Sequence, residues 1–174
     1  MSSDELLRYP IGRLKVQESY SPEERKQMIN KIASLPRQLR ETASTLSDQH
    51  LETPYRPGGW TGRQVIHHLA DSHMNAYIRL KWTLTEETPT IKAYDEKAWA
   101  HTHEVSADTE LSIALVEALH AKWVTALHLL KEEEWKRSFI HPETGKHVSL
   151  ERQLAIYAWH GEHHLGHLAL IAKG

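Results

Sequence analysis

The sequence predicts an all-α fold, a four-helix bundle with long connecting loops. Four segments repeat apolar residues at spacings of three and four positions, which is the period of an amphipathic helix. No segment between them shows a convincing strand pattern. The chain has 174 residues and no interdomain linker, so we expect a single bundle domain spanning residues 1–174.

Local signals set the boundaries of the four helices. At the first helix, Ser21 can cap, Pro22 suits the first position and Glu24 completes a capping box. Pro36 lies inside this helix and is expected to kink it. Thr61 opens the second helix with the same kind of signal. The predicted helices span about residues 22–47, 62–84, 106–130 and 150–173, with an irregular arm at about 1–20 and a turn at 141–145.

Composition argues against several classes of partner. The formal net charge is −2 and no run of Lys or Arg occurs, so we expect no nucleic-acid partner. No stretch of 18 apolar residues exists, so we expect no membrane span. The N-terminus lacks a basic-then-apolar leader and the chain has no Cys, so we expect a cytoplasmic location.

Histidines are concentrated in the last predicted helix. Four of the 14 histidines fall within eight residues, namely His160, His163, His164 and His167. His160 and His164 are four positions apart, so they lie on the same face of a helix and can direct nitrogens at one ion. Imidazole is the commonest protein ligand for metals near neutral pH, and no Cys is available.

Helical phase separates these four side chains. At about 100° per residue, His164 lies roughly 50° from the centre of the apolar face and His160 roughly 90° away. His167 lies slightly further round and could flank a site. His163 falls on the far side, beside Trp159, and is expected at the surface. His160 and His164 are therefore the expected inward pair.

The second predicted helix offers three more histidines. His73 lies near the centre of its apolar face, His67 lies on the flank, and His68 points away from that face. Phase alone leaves both His67 and His73 open as a third ligand. His73 and His120 also fit the alternative of hydrogen-bonded core residues.

Several long motifs together are similar to one known family. They include PYRPGGWTGRQVIHHLADSHMNAYIRLKWTLTEETPTIKAYDEKAWA at 54–100, HPETGK at 141–146 and YAWHGEHHLGHLALI at 157–171. The chain resembles the DinB/YfiT-like family of bacterial metal-dependent hydrolases, in its YfiT branch, which is related to bacillithiol S-transferases. The resemblance covers almost the whole chain and implies a four-helix bundle and a homodimer.

The resemblance also implies a metal site. One divalent metal per chain, Zn²⁺ or Ni²⁺, would be held by three histidines, which match His67, His160 and His164 here. This choice takes His67 over His73. Asp71, one turn after His67, could orient its imidazole or pair instead with Arg79. No catalytic base carries over from the family.

Three functions compete at this point. The first is metal-assisted hydrolysis of a small molecule, with water bound at the open position that three histidines leave on the metal. The second is transfer of a low-molecular-weight thiol bound at the same position. The third is a non-catalytic metal-binding bundle. The mouth of the site is expected near Trp60 and the connection at 86–103.

Overall fold

A computed structural model describes residues 3–173 of the chain and confirms the all-α class. Four long helices form the bundle, joined by short helices and one small hairpin. In chain order the helices are α1 (Ser3–Arg8), α2 (Pro22–Ala43), α3 (Asp48–Glu52), α4 (Gly62–Thr85), α5 (Glu96–Trp99), α6 (Glu110–His128) and α7 (Leu150–Ala172). Single 3₁₀ turns span His103–Ser106 and Glu132–Lys136.

The long helices close a ring in the order α2, α6, α4 and α7, because each packs on both of its neighbours in that order. Two apolar clusters fill the interior. One surrounds the buried side chains of Trp123 and Leu154, and the other surrounds Leu39 and Leu168. The histidine-rich part of α7 lies between Leu154 and Leu168, and so runs from one cluster to the other. This places polar rings inside the bundle.

Both predicted capping boxes are present. The Ser21 hydroxyl accepts from the Glu24 backbone N–H at 3.3 Å, and a Glu24 carboxylate oxygen accepts from the Ser21 N–H at 2.8 Å. Thr61 caps α4 in the same way. The first long helix ends at Ala43 rather than near residue 47, because Ser47 caps the separate short helix α3.

Two expectations about the connections are wrong. The arm at 1–20 is not wholly irregular, since α1 forms within it. A short antiparallel hairpin pairs strand β1 (Ser138–His141) with β2 (Lys146–Ser149) around the predicted turn. Each strand has only four residues, too few for an alternating pattern to stand out in the sequence. Gly145, at φ +64°, supplies the left-handed conformation of the turn.

The N-terminal arm packs on α7 beside the histidines. The Trp159 indole N–H donates to the Gly12 carbonyl oxygen at 3.2 Å. A Cβ atom at Gly166 would lie 2.8 Å from the ring of Pro10, so only glycine allows this close approach. None of the described helices combines the length and the apolarity needed to span a bilayer.

Candidate metal centre

Three histidines from two helices converge at one end of the bundle. His68 comes from α4, and His160 and His164 come from α7. Each offers a ring nitrogen within 4.8 Å of the nitrogens offered by the other two. The Nε2 atoms of His68 and His160 are 3.2 Å apart. Ligand nitrogens around a tetrahedral ion are about 3.4 Å apart, so this spacing fits one divalent metal.

His67 does not join this cluster, and the expectation that it lies with His160 and His164 is wrong. Its Nδ1 lies 2.7 Å from the Ser112 hydroxyl and its Nε2 lies 3.4 Å from the Ala107 carbonyl oxygen. Adjacent residues on a helix point about 100° apart, so only one of the pair can face α7. The structure turns His67 toward α6 and His68 toward α7.

The sequence predicts that His68 points away from the apolar face of α4. His68 is nevertheless buried, because the bundle interior covers more of α4 than its apolar face. The helix buries a second, more polar stripe that contains His68, Ser72 and Arg79. Ser72 and Arg79 lie four and eleven positions after His68, so by helical phase the three residues lie within about 40° of one another. This polar stripe was the signal in the sequence that could have identified His68.

A chain of hydrogen bonds leads from His160 into the core. The Nδ1 of His160 lies 3.1 Å from Nε2 of His73, and Nδ1 of His73 lies 2.9 Å from Nε2 of His120. The Nδ1 of His120 lies 2.7 Å from the carbonyl oxygen of Ile32. A carbonyl oxygen only accepts, so His120 must donate from Nδ1. It follows that His120 accepts from His73, and that His73 accepts from His160.

Pro36 explains why the Ile32 carbonyl oxygen is available. In an α-helix the carbonyl of residue 32 would accept from the N–H of residue 36. Proline has no N–H, although α2 continues through it. The Ile32 oxygen therefore lacks its helical donor, and His120 supplies the bond that Pro36 cannot. A helix-breaking residue in α2 thus determines the proton position on a ring in α7.

A second, shorter chain orients His164. The Nε2 of His167 lies 3.2 Å from the carbonyl oxygen of Arg8, at the C-terminal end of α1. His167 must therefore donate from Nε2 and accept at Nδ1, where Nδ1 of His164 lies 3.3 Å away. The expectation that His167 flanks the site agrees with this arrangement. The N-terminal arm thus takes part in organising the site.

Both chains leave an unprotonated Nε2 on the two α7 ligands. His160 and His164 each donate from Nδ1, so each has a free Nε2 lone pair. Such outer hydrogen bonds fix the tautomer and ring orientation of metal-ligating histidines in general. The Nε2 of His160 lies 3.2 Å from the Nε2 of His68. Two nitrogens at this distance repel one another unless a proton or a cation lies between them. The donor set and its hydrogen bonds fit a divalent metal.

Burial keeps these rings neutral. Desolvation lowers the pKa of His68 to about 4 and that of His120 to about 4. Desolvation, with the neighbouring rings as a smaller cause, holds the pKa values of His73, His160 and His164 well below the usual value. A histidine ligand must be deprotonated, so this environment prepares the cluster for a cation near neutral pH.

His163 was expected at the surface but is buried, with 8% of its surface exposed. Its ring stacks on Trp159 with centroids 4.3 Å apart, and the ring of Tyr9 covers it from the arm at 5.9 Å. Its Nδ1 is buried without a hydrogen-bond partner among the described residues. The phase of α7 alone does not reveal the covering arm.

Asp71 neither orients His67 nor pairs with Arg79 in the described part of the chain. Both ring nitrogens of His67 have other partners, and within the described part of the chain no salt bridge joins Asp71 to Arg79. Burial, and secondarily the charge of Glu104, raises the pKa of Asp71 to about 6.

A cavity of about 740 Å³ opens onto the cluster. All three histidines of the cluster line it, together with residues from the expected mouth. These mouth residues are Trp60, Glu96, Lys97 and His101. Because protein groups occupy one side of the cluster and the cavity the other, a metal held there keeps a position open to a small molecule.

The fold agrees with what comparisons with known proteins find. A model of the DinB superfamily matches residues 32–168, and the chain belongs to that family. It is 46% identical over 168 residues to YfiT from Bacillus subtilis, covering 96% of this chain and 94% of YfiT, which is named as a proposed metal-dependent hydrolase. A relative from Oceanobacillus iheyensis, OB0782, has a name of the same kind and is 48% identical over 166 residues, covering 95% and 96%.

A solved structure of Bacillus subtilis YfiT superposes on this chain with a TM-score of 0.94. The two chains are 46% identical, and the match covers 97% of each. That structure is described as having "an unusual four-helix bundle topology".

Proposed function

We propose that this protein is a metal-dependent hydrolase acting on a small molecule, with His68, His160 and His164 as the ligands of one divalent metal. The observation that carries the proposal is the hydrogen bonding behind His160 and His164, which leaves both Nε2 lone pairs beside His68 at the base of an open cavity. The names of the YfiT relatives support the same activity.

A divalent metal at this position would lower the pKa of a bound water toward about 7 and polarise a carbonyl or phosphoryl oxygen. The residues of the chain hold the ligands and shape access. His73 and His167 fix the ligand rings. Trp60 packs against His68, with ring centroids 4.6 Å apart, and narrows the approach.

Metal identity and assembly are part of the same proposal. Three imidazoles suit Zn²⁺ or Ni²⁺, and ligand type alone does not separate these two metals. We further propose one metal per chain, a single domain, a cytoplasmic location and a homodimer. Leu111 and Leu115, exposed at adjacent turns of α6, support pairing of two copies.

The open cavity favours a catalytic site over a purely structural one, because a structural metal is normally closed by a fourth protein ligand. Within residues 3–173 the cluster contains three such groups and no fourth. Thiol transfer would use the same open position, so the test of function must vary the thiol.

A substrate screen tests the proposal. Protein loaded with Zn²⁺ or Ni²⁺ is assayed against chromogenic esters, amides and phosphoesters, with and without a low-molecular-weight thiol. We expect turnover in water that is lost on chelation, restored by metal, abolished in His68→Ala and retained in His67→Ala. Turnover only with thiol would replace hydrolysis by transfer. Turnover that survives removal of the metal would contradict both.

A further inference from the structure

A second cavity, of about 800 Å³, shares His160 with the candidate metal centre. Its lining includes Ser72 and Arg79 from α4, Tyr157 from α7 and Tyr94 from the connection that follows α4. Glu96 and Lys97 line both cavities. The two cavities are therefore neighbours that share three lining residues.

Arg79 is the unusual group in the second cavity. It is only 9% exposed, its Nε is buried without a hydrogen-bond partner, and within residues 3–173 it forms no salt bridge. Arg25, the other buried arginine, is bonded to Glu132 and lies 3.6 Å from Glu151. A buried charge without a counter-ion is strongly unfavourable, so the chain leaves the Arg79 charge to be met by something that enters the cavity.

Neutral hydrogen-bonding groups share the lining of the cavity with this charge and with three exposed acids, Asp95, Glu96 and Glu143. The Tyr94 ring centroid lies 6.0 Å from the Arg79 guanidinium carbon, and burial raises the pKa of Tyr94 to about 12, so this phenol stays protonated and can donate. The Nδ1 of His141, which lines the same cavity, is likewise buried without a partner. The acidic side chains of the lining are exposed and form no salt bridge with Arg79 in the described chain.

The position of Arg79 relative to the metal centre follows from α4. Arg79 comes eleven residues after His68, about three turns along the same face, which separates their Cα atoms by roughly 16 Å. Helical side chains tilt toward the N-terminus, so the guanidinium reaches back toward the cluster. The side chain of His68 tilts the same way, so the link between the two sites is His160, which lines both cavities.

We propose that Arg79 is an anion subsite, and that the substrate carries a carboxylate or phosphate group some distance from the bond that reacts at the metal. The placement of the reacting bond at the histidine cluster rests on the proposed function, whereas the binding of an anion by Arg79 does not. The guanidinium can bind either anion through two parallel hydrogen bonds.

A series of bifunctional probes tests the proposal. Each probe joins a metal-chelating hydroxamate to a carboxylate, a phosphonate or a neutral amide through a chain of two to six methylenes, and its Kd for the Zn²⁺-loaded protein is measured. At the best length we expect the anionic probes to bind about 10- to 100-fold more tightly than the amide. Arg79→Met should abolish this preference and leave the Kd of the amide probe unchanged.

Arg56 provides a matched control, because it is a second arginine at the first cavity, which Arg8 and Lys97 also line. It is half-buried, donates to the Pro57 carbonyl oxygen at 3.0 Å and lies over the Tyr55 ring. Arg56→Met should keep the preference for anionic probes. Loss of the preference in Arg56→Met but not in Arg79→Met would overturn the assignment, as would equal affinity for anionic and neutral probes in the unmodified protein.

A metal-free measurement separates the two proposals. The Arg79 Nε–H resonance, identified by its loss in Arg79→Met, is followed by NMR as glutarate or inorganic phosphate is added to metal-free protein. A saturable shift supports the anion subsite even if no hydroxamate binds, in which case only the metal proposal fails. Absence of any shift up to tens of millimolar would overturn the subsite whatever the metal does.

Discussion

The Nδ1 atom of His120 lies 2.7 Å from the carbonyl oxygen of Ile32. That single bond assigns donors and acceptors through His73 to His160, because each ring can accept only where it is not protonated. Pro36 makes the carbonyl available by lacking the N–H that would otherwise occupy it. A backbone feature of α2 thereby orients a candidate ligand on α7.

Replacing His120 should weaken metal binding without touching a ligand. His120→Phe keeps a ring of similar size but loses both hydrogen bonds, and we expect the metal Kd to rise about 10-fold or more. His120→Gln retains an acceptor for His73 and should recover part of that loss. His128→Phe, an exposed change on the same helix, is the control and should leave the Kd unchanged. Competition with a chromophoric chelator measures all four proteins.

The tautomers can be observed directly in ¹⁵N-histidine-labelled, metal-free protein. Long-range ¹H–¹⁵N correlations should show His120, His73 and His160 all protonated at Nδ1. Protonation of His73 or His160 at Nε2 instead would contradict the orienting chain, whatever the metal affinity of the variants.

His167 and His163 should differ although both are buried on α7. His167→Phe removes the acceptor for His164 Nδ1 and the bond to the Arg8 carbonyl oxygen, so metal affinity should fall about 10-fold. His163→Phe keeps the stacking on Trp159 and removes a buried nitrogen without a partner, so metal affinity should be unchanged. Equal losses in the two variants, measured by isothermal titration, would show that packing rather than hydrogen bonding matters.

The metal-free protein should lose stability steeply as the pH falls below about 6.5. Burial lowers the folded-state pKa of His68, His120, His163 and His167 to about 4 in each case, whereas unfolded histidine titrates near 6.5. Between these values the unfolded state binds more protons, so stability rises with pH and levels off above 6.5.

Urea denaturation between pH 5 and pH 8 measures this dependence. We expect a slope below pH 6.5 of at least about 2.7 kcal/mol per pH unit, equivalent to two protons, and a smaller slope in His120→Gln. A free energy of unfolding that stays constant from pH 7.5 to pH 5 would show that these rings are not neutral and buried.

Asp71→Asn should stabilise the protein at pH 7.5. Burial and Glu104 raise the folded-state pKa of Asp71 to about 6, above its unfolded value. The ionised carboxylate therefore lowers the free energy of unfolding, and this effect reaches its full size above pH 6. Because the site is half-exposed, the gain should be only roughly 1 kcal/mol, and it should shrink toward pH 5. Paired urea titrations of the two proteins at pH 7.5 and pH 5 give both values, and metal affinity should not change.

The fold could be predicted because its signals are local. Ser21 and Thr61 mark helix starts by short-range capping, and apolar spacing marks the bundle faces. The hairpin at 138–149 and helix α1 were missed because each is too short to show a period. The covering of His163 by Tyr9 depends on contact between distant segments, which no local pattern contains.

The candidate site was only partly predictable. His160 and His164 were found because their spacing of four is a property of one helix. The third member depends on how α4 is rotated against α7, and the apolar residues of α4 indicate its apolar side rather than the polar interior where His68 lies. The roles of His73 and His120 depend on contacts among three helices and on the missing N–H of Pro36.

The neighbouring residues His67 and His68 give the most direct test of the central claim. Metal content per chain is measured by elemental analysis after equilibration with Zn²⁺ or Ni²⁺ and gel filtration, for His67→Ala and His68→Ala side by side. We predict about one metal per chain in the unmodified protein and in His67→Ala, and almost none in His68→Ala. A full metal complement in His68→Ala together with its loss in His67→Ala would contradict the site described above.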